Sequence, residues 1–304
     1  MKLANSKPQV FVSALKHEME RLRVDAAVDL NRQVYGNGSG AISTAGTASG
    51  PALTFTPVAG KTIYAQLGEQ VDLIDGTTLN NASPTVKSSN RQITAINTST
   101  GVITVDSNIT VAVGDILVRT GSVNREWTGL SKIVAGSGIL YNVDPTVEPL
   151  WVSSVDSNAG TNRALSEGLM INMVDGIRQA GGKVTVILGN LGVRRAYFNL
   201  LTQQRRYSNT KEFAGGFTGL TFTTDQGEVP MVTDVDAPRN TLFFLNEDEL
   251  TWYREKDWSW MNRDGSNWQR VIGFDAYEAT MYQYSELGTH RRNTHGLMSD
   301  ITEG

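Results

Sequence analysis

The sequence contains no cysteine, which removes disulfides, thiolate metal ligands and thiol nucleophiles together. Stability must then come from packing and association. Histidine is scarce as well: there are three, His17, His290 and His295. The last two are five residues apart, a spacing that does not put both on one helix face, and no carboxylate lies between them. A metal site is therefore not indicated, and solvated histidines are expected. Positive charge is not in excess either. The 27 Lys and Arg stand against 31 Asp and Glu, a net charge of -4, without the footprint of a protein that grips nucleic acid. No run approaches the roughly 20 apolar residues of a membrane helix. Met1-Lys2-Leu3-Ala4-Asn5 is followed by no apolar stretch with a small-residue cleavage site, so no membrane partner and no secretory signal are expected, and synthesis in the cytoplasm is. Neither a G-x-S-x-G elbow nor an H-E-x-x-H helix occurs.

What is present begins with a helix. From Val12 to about Tyr35, Leu15, Met19, Leu22, Ala26 and Leu30 recur at spacings of three and four, which predicts a long amphipathic helix. Lys16/Glu20, Glu20/Arg23 and Asp29/Arg32 lie at helical contact spacing, each pair adding roughly 0.2–0.5 kcal/mol. Gly36-Asn37-Gly38-Ser39-Gly40 follows. A phosphate loop would follow a strand and open a helix, so these glycines read as a helix stop. From Ala41 to about Leu150 the helical period vanishes. Lys61–Leu67, Gln70–Ile74, Arg91–Asn97, Val102–Asp106 and Asp115–Thr120 read as strands, and Ser99-Thr100-Gly101 as a hairpin turn. The economical reading is a small β-barrel or sandwich inserted between two parts of a larger domain.

Helical spacing returns at Leu165, Leu169, Met173 and Ile177 and is closed by Gly181-Gly182. Lys183–Leu188 reads as a strand buried on both faces. Asn190 can cap a third helix whose apolar stripe is Val193, Tyr197, Leu200 and Leu201. Strands are expected at Glu228–Asp234 and Thr241–Leu245. Asn246-Glu247-Asp248-Glu249 is a capping-box variant that predicts a short helix through Tyr253. Trp258 and Trp260 precede Asp264-Gly265, which predicts a hairpin with Trp268 and Val271 on its return. The fold class is α+β.

Three groups of residues invite a functional reading. Glu247, Asp248, Glu249, Asp257 and Asp264 could pair carboxylates beside tryptophans as a glycosidase would need, but three sit in a predicted helix first turn and one in a hairpin turn. No catalytic residue, cofactor or metal is assigned. Arg194-Arg195, Arg205-Arg206 and Arg291-Arg292 are dense basic spots. They read either as a solvated face or as forks for acidic neighbours on another subunit. Trp258 and Trp260, with Trp252-Tyr253-Arg254-Glu255-Lys256-Asp257 ahead of them, fit a local core or an interface hot spot equally well. Arg194, Arg195, Arg205, Arg206, Trp258 and Trp260 are thus the candidate inter-subunit contacts.

Taken together, the segments resemble the Hong Kong 97 type capsid proteins of tailed phages, in a variant common in phages of Gram-positive hosts. The likeness is carried by Asp29-Leu30-Asn31-Arg32-Gln33-Val34-Tyr35-Gly36-Asn37-Gly38-Ser39-Gly40, by Gly129-Leu130, Trp151, Arg163 to Leu188 and Val229-Pro230-Met231-Val232. It continues through Trp258-Ser259-Trp260-Met261, Asp275 to Thr280, Leu287-Gly288-Thr289 and Arg292-Asn293. It covers nearly the whole chain. It implies a spine helix with a peripheral domain at 1–40, an inserted β-rich domain at 41–130, a connection at 131–162, an axial domain at 163–240, and remaining peripheral and axial sheet with the C-terminal segment at 241–304. It implies a major coat protein of the virion that assembles with itself into hexamers and pentamers around phage DNA, which it contains without specific binding. Portal and scaffold proteins are further implied partners. The sequence departs from the pattern ahead of the spine helix: relatives carry an N-terminal arm and an extended loop there, whereas about ten residues precede the helix here. Either the reading frame is truncated or misassigned, or the arm is supplied otherwise, and no crosslink residues carry over.

Two rivals remain. An encapsulin-like compartment would use the same fold around a protein cargo. From another class, a carbohydrate-binding or glycosidase-like β protein could use the Trp252 to Trp268 region.

Overall fold

The computed structural model describes residues 8–44, 54–55, 64–79, 83–97, 102–205, 220–224, 227–262, 265–274 and 277–304. The predicted opening helix is α1, Pro8–Tyr35. It starts on proline, the residue whose missing N–H costs nothing in a first turn. It ends where Gly36 N–H turns back to the Gln33 carbonyl at 3.0 Å, followed by Gly38 and Gly40 at φ +84° and +82°. Its last turns are well packed, Val34 and Tyr35 entering a core with Leu130, Ile133, Phe243 and Leu245, while Leu22, Val24 and Val28 stay exposed.

The next strands are β1 (Ala41–Thr44), β2 (Thr54–Phe55), β3 (Gln70–Ile74), β4 (Val86–Asn97), β5 (Val102–Val105) and β6 (Ile116–Arg119). They form one antiparallel sheet in the order β1-β6-β3-β4-β5-β2. Its main core is Ile42, Val71, Leu73, Ile93, Ile103, Val105, Ile109, Val111 and Leu117. Ile74, Leu79, Ile116 and Val118 form a second cluster. Of the strand predicted at Lys61–Leu67, residues 61–63 lie outside the described residues, and 64–67 are turn and irregular backbone instead of strand. Glu69 N–H returns to the Gln66 carbonyl, and Gly68, at φ +84°, gives its N–H to Ile93 on β4. The predicted turn at Ser99 to Gly101 lies outside the described residues, but the strands it joins, β4 and β5, do pair antiparallel.

A short helix α2 (Leu130–Ile133) follows. Its N-terminal neighbour Gly129 lies so close to the end of α1 that a Cβ there would stand 2.4, 2.5 and 2.6 Å from the carbonyls of Gln33, Gly36 and Val34. A side chain cannot occupy that space. Then come β7 (Ser154–Asp156), α3 (Glu167–Gln179), β8 (Val186–Gly189), α4 (Leu191–Arg205), β9 (Thr221–Thr224), β10 (Gly227–Thr233) and β11 (Leu242–Leu245). Ser166 caps α3 by accepting from Leu169 N–H at 3.3 Å. Gly182 N–H bonds Ile177 and Gly181 N–H bonds Arg178, the Schellman pattern that the glycine pair foretold. Asn190 caps α4, its Oδ1 accepting from Val193 N–H at 2.8 Å.

The second sheet, completed by β16 (Gly296–Met298), runs β7-β16-β11-β8-β10-β9 with mixed polarity. Helices α3 and α4 pack on one face through Met170, Met173, Ile177, Val193 and Tyr197, together with Leu242 and Phe244. The other face carries Phe243 and Leu245 into the cluster around Tyr35 and Ile133. Alternation along β11 thus serves two cores, which is why all four of its residues are buried.

Between β11 and β16 the chain leaves this sheet. Residues 247–249 make one 3-10 turn capped by Asn246, and β12 (Leu250–Trp260) begins at once. The short helix predicted through Tyr253 does not form. Thr251, Trp252 and Tyr253 favour extended backbone, and β12 pairs with β15 (Met281–Thr289) from Leu250↔Thr289 to Trp260↔Met281. The hairpin predicted at Asp264-Gly265 is also different: Gly265 has φ +82°, but Trp260 pairs with Met281, not with the segment after Trp268. Between them the chain makes a small pair, β13 (Gln269–Arg270) with β14 (Tyr277–Glu278), so the return is long and carries its own ribbon.

Candidate inter-subunit surface

The described surfaces are set by two polar clusters that fix how the elements meet. The first surrounds the last turns of α1. Arg32, almost fully buried, donates Nε to Asp29 at 3.0 Å and Nη2 to Glu126 at 2.5 Å. Arg119 on β6 pairs with the same Asp29 and with Glu69. Burial by itself would raise the Asp29 carboxyl, but the guanidinium groups of Arg32 and Arg119 hold it below the usual carboxylate range. One residue away, Asn31 Nδ2 donates to Asp234 at 3.1 Å and to Asp236 at 2.8 Å. Tyr64 OH donates to Asp236 Oδ1 at 3.2 Å. Burial, and then the neighbouring Asp234, push the Tyr35 phenol far above its ordinary range. This cluster ties α1 to the β-rich unit on one side and to the 234–236 loop on the other.

The second cluster is built on Arg292. Its guanidinium reaches five backbone carbonyls: Ile133 at 2.9 Å from Nε, Gly138 at 2.8 Å and Trp151 at 3.3 Å from Nη1, and Lys132 and Ser137 at 3.0 Å from Nη2. The residue is 1% exposed, so Arg292 is no part of a solvated basic face. Its neighbour Arg291 is different, reaching Glu249 at 3.6 Å and the Gly181 carbonyl at 3.1 Å from a half-exposed position. His295 lies beside them, fully buried, against the expectation of a solvated histidine. Asn246 N–H donates to its Nδ1 at 3.3 Å, which leaves Nε2–H to face Thr289 Oγ1 at 2.9 Å. Burial pushes its pKa down to about 4. His17 and His290 are exposed as expected.

The candidate contacts fall on two elements. Arg194 and Arg195 lie on α4, the first half-buried and the second exposed. Arg195 Nε donates to the Gly304 carbonyl at 2.6 Å, an internal use that sequence spacing could not reveal. Arg205 ends α4, and Arg206 lies outside the described residues. Trp258 and Trp260 are half-buried on β12 and are not brought near the arginines by any described contact. Nor do the acidic residues converge on a reaction centre: Asp257 accepts from Trp258 N–H and from Arg254, while Glu247 exchanges bonds with Thr185. Asp264 lies outside the described residues.

The open aromatic surface belongs to the β12/β15 ribbon. Trp252 packs obliquely on Trp127 with centroids 5.8 Å apart and carries Arg254 over its ring at 4.8 Å. Lys256 sits 4.8 Å over the Tyr282 ring, and Tyr282 packs on Tyr284 at 5.3 Å. Beside the ribbon's base, Ala27, Leu30, Val34, Trp127, Trp252 and Leu287 line a groove of about 290 Å³. A second groove of about 600 Å³ runs on along α1 past Val28, Val24 and Arg23 to Glu20. Such an arrangement offers apolar contact with charged margins, which is the anatomy of a binding surface.

A family model described as SU10 major capsid protein matches residues 74–302. No curated protein matches. Among solved structures, a chain of the cyanophage A-1(L) capsid asymmetric unit is 19% identical, with 60% of this chain and 62% of that chain covered and a TM-score of 0.43. The encapsulin of the holo-SrpI complex from Synechococcus elongatus PCC 7942 is 12% identical, with 54% and 56% covered and a TM-score of 0.32. The chain thus spans less than two thirds of the length of both structures.

Proposed function

Since the chain belongs to the SU10 major capsid protein family, we propose that it works by repeated self-association into hexamers and pentamers that close an icosahedral phage head around DNA. The family match, which runs from the end of β3 through the second sheet and the β12/β15 ribbon, carries this reading. On it, the fold is of the Hong Kong 97 type. Helix α1 and the β12/β15 ribbon form the peripheral domain, and residues 163–240 form most of the axial domain. Residues 41–130 form an inserted β-rich domain. The role is structural and not catalytic. The clusters around Arg32 and Arg292 support it, since they hold α1, the β-rich unit and the C-terminal sheet in fixed relation while leaving the ribbon and the free half of α1 open.

Packaged DNA is contained and not gripped. A net charge of -4 supports that, because phosphate-binding proteins concentrate Lys and Arg. Trp258 and Trp260, half-buried on an open ribbon, remain candidate contacts between subunits, as do Arg194, Arg205 and Arg206. Portal and scaffold proteins are the expected partners inside the head. Negative-stain electron microscopy with light scattering on the purified full chain at high concentration tests the proposal. Rings, tubes or shells are expected; a strict monomer at every concentration would overturn it.

A further inference from the structure

Among the described residues, two of the uncovered apolar surfaces belong to different elements. One is the free half of α1, where Val24 and Val28 are exposed, Val24 by 61%, along the groove that ends at Glu20. The other is the end of the ribbon beyond Trp260 and Met281, where Ile272 is 97% exposed, Phe274 70% and Tyr277 66%. A helix with an apolar stripe in water and a two-stranded ribbon with a bare apolar tip both need a cover.

The two cannot cover one another within a copy. The ribbon meets its own α1 at Trp252, which shares a groove with Ala27 and Leu30. From Trp252 to Trp260 the paired strand spans about 26 Å. The α1 groove, from Ala27 back to Glu20, spans about 10 Å of helix axis. The tip therefore overshoots the groove of its own copy. The margins of the two surfaces are compatible: the groove is flanked by Glu20 and Arg23 at its outer end and by Asp236 at its inner end, and the tip by Arg270 and Glu278, so each carries charge of both signs. Neither presents charge of a single sign to the other.

We infer that the ribbon tip of one copy seats in the α1 groove of a second copy, with Ile272 and Phe274 against Val24 and Val28. The inference rests on the self-assembly proposed above and names one of its contacts. Because the two surfaces differ, the contact is heterologous: every copy offers one tip and one groove, so it propagates from copy to copy until a ring closes.

The absence of cysteine from the full chain makes the test direct. Two single-cysteine variants, Val28→Cys and Phe274→Cys, are purified separately, mixed in equal amounts under conditions where the unmodified chain assembles, and treated with diamide. A disulfide-linked dimer is expected in the mixture at ten-fold or more the yield of either variant alone. Assemblies seen by light scattering without a mixture-specific link would overturn this contact and leave self-assembly standing. Links formed equally by one variant alone would overturn it too, by revealing a symmetric contact. If the unmodified chain stays monomeric, self-assembly fails, and this contact with it.

Discussion

Arg292 Nε donates to the carbonyl of Ile133 at 2.9 Å across 159 positions of sequence. The other N–H groups of the same guanidinium end on the carbonyls of Lys132, Ser137, Gly138 and Trp151. A buried cation is here held by backbone carbonyl dipoles, and burial lowers its pKa. The side chain is in effect a five-pointed staple that fixes the loop after α2 to the C-terminal segment.

Replacing Arg292→Met should strand those carbonyls without donors. An unpaired buried polar group costs about 1–3 kcal/mol, and with losses shared among neighbours the total should be roughly 3–5 kcal/mol. Arg292→Lys should recover only part, because three donors on a flexible stem cannot meet five carbonyls. Urea unfolding checks both. A lysine variant as stable as the parent chain would show that charge, and not the planar fork, is what the site requires.

His295 should make stability depend on pH in a defined window. Its folded pKa is about 4, below the ordinary value of 6.5, so the unfolded chain binds the extra proton between those values. The stabilisation is fully present above pH 6.5, falls as pH drops toward 4 and is flat below that. The total is about 3 kcal/mol by linkage. His295→Gln cannot titrate. Unfolding free energies of the two proteins, measured from pH 7.5 to 4, should converge across this window. Parallel curves would show that the histidine stays accessible to protons in the folded state.

Two glycines in one region should respond unequally to alanine, each for its own reason. At Gly129 the backbone is ordinary, φ -81°, but a Cβ would meet three carbonyls within 2.6 Å, so Gly129→Ala must push α2 away from α1. A loss of roughly 3 kcal/mol is expected, at the upper end for overpacking. At Gly138 nothing lies within 4 Å, but φ is +84°. Gly138→Ala should cost only about 1 kcal/mol for the left-handed backbone. Thermal melting of the pair reads the difference.

Trp258→Ala and Trp260→Ala should separate the two uses of these side chains. On a ribbon packed on neither side by a third strand, truncation should lower the stability of the isolated subunit by less than about 1 kcal/mol. If the ring buries itself between subunits, the same change should raise the concentration needed for assembly ten-fold or more. Denaturant melts at low concentration and light scattering at high concentration make the comparison. A large loss in the melts with no change in assembly would return both tryptophans to a local core.

Legibility in the sequence followed the range of the interaction. The helix ending at Tyr35, the cap at Asn190 and the stop at Gly181-Gly182 depend on residues within one turn, and each was visible before the fold was known. The failures share a cause. Asn246-Glu247-Asp248-Glu249 does start a turn, but whether it grows into a helix is decided by pairing with residues 281–289, which no local window contains. Gly265 does turn the chain, yet its partner strand lies beyond a second ribbon. Arg292 looked like half of a basic pair, and nothing nearby announces five carbonyls drawn from residues 132 to 151. Asn31, Asp234 and Asp236 were invisible as a group for the same reason, being more than 200 positions apart in sequence. The groove along α1 was half legible: Leu30, at its base, was placed on the apolar stripe, but Val24 and Val28, which line its outer part, were not.

The double-sided burial of β11 has a mechanical consequence. Phe243 and Phe244 stand back to back at consecutive positions, one against Tyr35 at the end of α1 and the other among the side chains of α3 and α4. Close-packed interiors are nearly incompressible. A push on the root of α1 therefore arrives at α3 almost undiminished, and the two cores with their shared sheet tilt as one plate. Any change of curvature in a shell made of such plates would then have to be absorbed outside the two packed cores, at the margins of an otherwise rigid tile.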